Sequence, residues 1–230
     1  MIGVLVNTAA VIIGSLIGLI FKKGIPSKYI DGVMLGIGLC TVYIGISGAL
    51  KGQNTLILII SIVIGSLIGT FLDIDMRLNS IGKWIESKFS KSSSSHTSIA
   101  AGFVTASLLF CIGAMTIVGS LNAGLIGDNE MLITKSLLDF ISSIMLSVSL
   151  GIGVMFSSAF VFVFQGSIVL LAQYLQPFLT DSSIAEITCA GSVIIIALGL
   201  NIIGITKIKV ANYLPAIIIA PIISYILTII

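Results

Sequence analysis

Thr134-Lys-Ser-Leu-Leu-Asp139-Phe-Ile-Ser-Ser143-Ile-Met-Leu-Ser147-Val-Ser149-Leu-Gly-Ile-Gly-Val-Met-Phe-Ser-Ser158 opens the stretch on which the fold turns. It continues through Phe164-Gln165-Gly166 to Gln176 with no charge besides Lys135 and Asp139. One crossing of the hydrocarbon needs about 20 apolar residues. The stretch is too long for one helix and long enough for two, with a tight turn near Leu150-Gly-Ile-Gly. The reading is therefore two spans, Thr134–Gly153 and Phe156–Gln176.

Working outward, polar punctuation cuts six further apolar runs: Ile2–Phe21, Gly32–Leu50, Thr55–Leu72, Ala101–Leu125, Ile187–Thr206 and Val210–Ile230. Composition agrees, with 57% hydrophobic and 9% charged residues in 230, against about a quarter charged in soluble domains. A water-soluble fold is excluded, and little chain remains for a soluble catalytic or nucleic-acid-binding domain. The expected architecture is all-α, one membrane domain over 1–230 with about eight spans, and seven to nine as the range. Within it, 1–72 holds three helices, 73–98 a cytoplasmic segment, 101–153 two central spans and 156–230 three more helices.

Basic residues orient the chain. With eight spans, loops one, three, five and seven share a side and hold Lys22, Lys23, Lys28, Arg77, Lys83, Lys88, Lys91, Lys207 and Lys209. Fusing the fifth and sixth spans would send Lys207 and Lys209 to the other side. Both termini are expected outside a bacterial cytoplasmic membrane, and the first segment reads as a span, not a removed signal peptide. Met76, Ile81, Trp84, Ile85 and Phe89 can share one face of a helix lying in the interface. A Ser92–Ser95 linker with His96 follows, and His96 reads as a solvated loop residue.

Val11-Ile-Ile-Gly-Ser-Leu-Ile-Gly18 recurs as Ile62-Val-Ile-Gly-Ser-Leu-Ile-Gly69. Gly14/Gly18 and Gly65/Gly69 are GxxxG faces that let helix backbones approach closely. A second similarity sets span two over span seven at a shift of 159, and places Asn7 opposite Gly166, beside Gln165. Spans one to three then correspond to six to eight in opposite orientation, an inverted repeat of the kind that builds many carriers.

Polar residues inside hydrocarbon are expensive and are functional candidates. Asp139 is the acidic residue lying well within a span. It is either a snorkelled partner of Lys135 at the outer interface or an interior carboxylate binding a cation or proton. Phe110-Cys111-Ile-Gly-Ala-Met115-Thr-Ile-Val-Gly-Ser120-Leu-Asn122 is rich in glycine. It reads either as a broken or re-entrant helix around a solute or as close packing. The candidate solute site is thus Asp139, Gln165, Cys111, Met115, Ser120, Asn122, Asn7 and Asn201. The cysteines form neither a metal pattern nor a disulfide framework, no cofactor is implied, and a metal role is undetermined.

Asn7-Thr-Ala-Ala-Val-Ile-Ile-Gly-Ser, the Cys111-Ile-Gly-Ala-Met115 block, Lys135-Ser-Leu-Leu-Asp139, Phe164-Gln165-Gly166 and Asn212-Tyr-Leu-Pro215 resemble the bacterial YdfK/YqgA family, carriers of domain of unknown function 554. The resemblance covers nearly the whole chain. It implies an integral membrane protein with a transport role, and no substrate comes with it.

The expected function is a secondary transporter or channel-like carrier of a small solute or ion. The competing reading is a non-transporting scaffold or regulator that forms homo-oligomers through the GxxxG faces. An enzyme is not expected, because no nucleophile–base pair, paired carboxylates or HExxH lies within the spans. The partners expected are the lipid bilayer and a small solute or ion, with no nucleic acid.

Overall fold

The computed structural model describes residues 1–22, 27–77, 80, 99–112, 114–177 and 179–229. Among these, every regular element is helical. In chain order they are α1 (Ile2–Lys22), α2 (Ser27–Ala49), α3 (Thr55–Phe71), α4 (Ile99–Cys111), α5 (Ala114–Leu125), α6 (Glu130–Leu150), α7 (Gly153–Leu175), α8 (Asp181–Ile203), a 3-10 turn (Val210–Tyr213) and α9 (Pro215–Ile229). Six helices are long and apolar enough to cross a membrane, and a seventh crossing results if α4 and α5 count as one. The apolar α3 has 17 residues. Apart from Met76, Arg77 and Ser80, the expected interfacial helix, with Trp84 and His96, lies outside the described residues, as does Gly113.

Local chemistry sets the ends of these helices. Between α6 and α7 the chain turns within two residues at Gly151, whose φ of 77° suits glycine. Asn54 caps α3 by accepting from the Leu56 N–H, and Thr180 caps α8 by accepting from Ser183. Gly204 ends α8 in the left-handed conformation. At the glycine-rich fourth run the helix stops at Cys111 and restarts at Ala114, bent by 61°. The Thr116 hydroxyl spans that break, donating to the Phe110 carbonyl at 3.1 Å.

Packing follows the small residues. The helices α1 and α6 run parallel at a constant offset, with Gly3 on Leu132, Gly14 on Ser143 and Gly18 on Ser147. A Cβ on Gly14 would fall on the Phe140 carbonyl, and one on Gly18 would meet the Ile144 carbonyl. Gly65 sits against Ala216 of α9, and Gly69 against the Asn212 carbonyl. Both GxxxG faces are therefore covered within the chain. Along α2 and α8, Gly45 meets Ser192 and Ile196, and Gly199 meets Val42.

Polar ties gather the loops into two ends. At one end Asp75, Leu150, Asn201 and Ile208 line a single cavity of about 310 Å³, and Lys22 reaches Gly151. At the other, the Asn129 side chain accepts from the Gly3 N–H, and the buried Glu186 accepts from the Gln53 and Asn54 N–H groups.

Because overpacking costs about 1–3 kcal/mol, and each kcal/mol shifts the midpoint of a chain this long by about 2–4 °C, Gly14→Val should lower the thermal unfolding midpoint in detergent. Gly32→Val, where no atom lies within 4 Å of an added Cβ, should leave it unchanged. Equal midpoints for the two variants would contradict the α1–α6 contact.

Candidate functional site

Helix α6 presents Lys135 and Asp139 four residues apart, hence on one face. The Lys135 ammonium donates to both Asp139 carboxylate oxygens, at 2.7 and 2.6 Å. Both residues are buried, 6% and 5% exposed. The pair does not snorkel to the outer interface, so the surface alternative for Asp139 is corrected: the covering helices are in the way. Asp139 stands nine residues into α6, about 13 Å along at 1.5 Å per residue, close to the middle of the helix.

Two more helices complete the cluster. Asn7 of α1 donates through Nδ2 to Asp139 Oδ2 at 3.0 Å and to Gln165 Oε1 of α7 at 3.2 Å. Asn7 and Gln165 are fully buried. Two polar atoms remain unspent: Asn7 Oδ1 and Gln165 Nε2 have no hydrogen-bond partner among the described residues. One acceptor and one donor thus stay available beside a buried ion pair.

Apolar layers close the cluster above and below. Val4, Ala123, Leu132 and Val169 form one packed group, each one helical turn from Asn7, Ser120, Lys135 or Gln165 respectively. Val11, Phe110, Leu146 and Val161 belong to a second group on the other side. The charged pair and its two amide partners lie between these layers, near the middle of the helices.

The remaining sequence candidates divide. Ser120 is buried, with an unpartnered hydroxyl among the described residues, one turn from Ala123 of the first apolar layer. Cys111 is buried and borders an apolar cavity of about 250 Å³. Met115 is 37% exposed, and Asn122 is half-buried. Asn201 is separate: it stitches the loop after α8, accepting from Ile208 N–H and Thr206 Oγ1 and donating to the Ile208 carbonyl. Asn7, Asp139 and Gln165 are joined directly, whereas Asn201 serves a helix end.

Sequence reasoning missed two residues. Lys135 enters the cluster as a full member, although its i,i+4 spacing from Asp139 carried the signal. Glu186 reads in sequence as an outer-loop acid, yet it is 1% exposed and holds the α2–α3 loop through two N–H bonds of 2.8 Å. No local pattern announces that role. Among the described residues, no group of three or more His, Cys, Asp and Glu side chains is placed to hold a metal ion.

Removing one member of a buried ion pair leaves the other uncompensated and costs about 3–5 kcal/mol. Asp139→Leu should accordingly lower the unfolding midpoint sharply. The double variant Lys135→Met, Asp139→Leu should recover most of the loss. A double variant as unstable as the single would show that the pair is not energetically coupled.

Two relatives align with nearly all of the chain. The uncharacterized membrane protein YdfK of Bacillus subtilis is 38% identical, over 99% of this chain and 97% of its own length. The uncharacterized protein YqgA of Escherichia coli is 30% identical, over 95% and 94%. No solved structure matches. With residues 2–225 matched, the chain belongs to the membrane family described as "Protein of unknown function (DUF554)".

Proposed function

We propose that the chain is a secondary carrier, or a channel-like conduit, for a small solute or ion across the bacterial cytoplasmic membrane. One observation carries the reading: three helices join Lys135, Asp139, Asn7 and Gln165 into a single buried network with a donor and an acceptor to spare. Intramembrane ionisable groups facing a bundle interior mark ion and solute pathways. Asp139 is the group that exchanges partners. A proton or a monovalent cation taken up by its carboxylate releases the Lys135 ammonium, and the network rearranges around that change.

Two further features support the reading. The break between α4 and α5 gives the bundle a discontinuous helix of the kind that forms solute sites in carriers. The packing of α1 on α7, α2 on α8 and α3 on α9 agrees with the inverted repeat, and the Asn7–Gln165 bond joins the two repeats. The basic loops favour a cytoplasmic position for the end where Asp75, Leu150 and Ile208 meet. A scaffold assembling through its GxxxG faces gains no support, because those faces are already engaged within the chain.

Purified protein in liposomes is expected to move protons, a monovalent cation or a small metabolite in a flux panel. Asp139→Asn, which keeps the side-chain shape but removes the charge, should abolish that flux, while Asn201→Ala should preserve it. Folded protein that moves nothing in the panel, or an Asp139→Asn variant with full flux, would overturn the proposal.

A further inference from the structure

Where the loops after α3 and α8 meet, Met34, Val104, Leu198, Ile202 and Ile208 line a cavity of about 310 Å³ whose wall also carries polar groups. Among the described residues the polar side chains bordering it are Asp75, Thr105 and Asn201. The Asn201 amide is committed to Thr206 and Ile208. Thr105 and Asp75 are not explained by the fold in that way.

Thr105 is 6% exposed. A threonine within a helix commonly donates to the carbonyl one turn back, and Thr8, Thr41 and Thr188 do so here at 2.7–2.8 Å. Thr105 makes no such bond, nor any other among the described residues. Its hydroxyl is not sealed among side chains either, as that of Ser107 is, and the space it adjoins is the cavity.

Asp75 is the charged residue of the wall among those described. Its backbone is pinned, since the Asp75 N–H donates to Asn212 Oδ1 at 2.8 Å. An ionised carboxylate offers about four acceptor positions, so an ammonium group can join whatever donors Asp75 already holds. Lys209 reaches Asp73 at 3.9 Å and Lys22 lies against Gly151, and neither borders the cavity.

Exclusion narrows the occupant. An anion would meet a carboxylate. A hydrocarbon would strip water from Asp75 and Thr105 and return no hydrogen bond. A bare metal ion would find no cluster of three or more His, Cys, Asp and Glu ligands among the described residues and would leave most of the space unfilled. Cavities of about 150 Å³ admit benzene, so this one has room for a ring, a short chain and a head group.

We infer that this cavity binds a small organic ammonium with an apolar body, its charged end held by Asp75 and Thr105 and its body by Met34, Leu198 and Ile202. Loops and helix ends surround the site, so it fills from water and not from the hydrocarbon. It lies apart from Asp139, and its binding is measurable whether or not that residue carries a solute.

Equilibrium dialysis of radiolabelled phenethylamine against the purified full chain in detergent, with empty micelles subtracted, tests the site. The amine is charged at neutral pH, as a lysine side chain is. Saturable binding is expected, with 2-phenylethanol and phenylacetate, the neutral and anionic compounds of similar size, competing about tenfold more weakly or worse. Asp75→Asn should weaken phenethylamine about tenfold, the loss expected for a charged hydrogen bond, and Thr105→Val, which keeps the shape, about fivefold. Ile208→Trp, which fills the space, should abolish binding.

The unfolding midpoint of each variant reports whether it is folded. If Asp75→Asn is not, Thr105→Val and the ranking of the three compounds decide. Absence of saturable binding, equal binding of the three compounds or a preference for phenylacetate overturns the inference. So does phenethylamine binding that Thr105→Val and Ile208→Trp both leave intact, since the amine then sits elsewhere. Loss in Asp75→Asn with Thr105→Val silent overturns the role of the hydroxyl.

Discussion

Two opposite charges buried on one helix of a membrane bundle form the constraint from which the rest of the structure follows. Each ion taken from water costs several kcal/mol even after relaxation, and the mutual attraction of Lys135 and Asp139 offsets that cost only with good geometry and further hydrogen bonds. The bidentate contact supplies the first, and Asn7 supplies the second. Asn7 must in turn be covered, which brings α1 against α6, and its second N–H recruits Gln165 and with it α7. The central trio of helices is thus organised around one carboxylate.

That arrangement requires close backbone approach, and glycine provides it. In hydrocarbon there is no hydrophobic drive between helices, so association depends on contact and hydrogen bonding. Gly3, Gly14 and Gly18 let α1 settle along α6 over its full length, fixing Asn7 at hydrogen-bonding distance from Asp139. The same device at Gly65 and Gly69 seats α3 on α9 and the turn before it. Glu186, with its two N–H bonds to the α2–α3 loop, ties this second group of helices to α8.

How much of this the sequence disclosed depends on the range of the interaction. Helical spacing made the Lys135–Asp139 pair legible, and apolar run lengths with glycine at position 151 divided α6 from α7. The glycine-rich block around Cys111 left a broken helix and close packing both open, and the chain bends there by 61°. Burial of the ion pair was not legible, since a lysine near a helix end reads equally as snorkelling. Asn201 misled for a related reason: an asparagine one turn before a helix terminus looks intramembrane by hydropathy, but its side chain serves the loop beyond. Glu186 finds its partners at Gln53 and Asn54, more than a hundred positions away, and no local pattern encodes such a contact. The Asn7–Gln165 bond, across 158 positions, is of the same long-range kind.

These contacts also dictate which parts can move relative to the cluster. Along the α1–α6 seam, a sliding or tilting motion would drive Ser143 and the Phe140 and Ile144 carbonyls into glycine positions that leave no space, so the two helices behave as one body carrying Asn7, Lys135 and Asp139. The other side of the cluster is built differently. Helix α5 joins α4 through a bend that the Thr116–Phe110 hydrogen bond spans, and a cavity occupies part of the space beside it. Gln165 meets the cluster from α7 through one bond of 3.2 Å, the longest in the network. The buried network is thus backed on one side by the close-packed α1–α6 pair and bordered on the other by the bent α4–α5 segment and the Gln165 contact from α7.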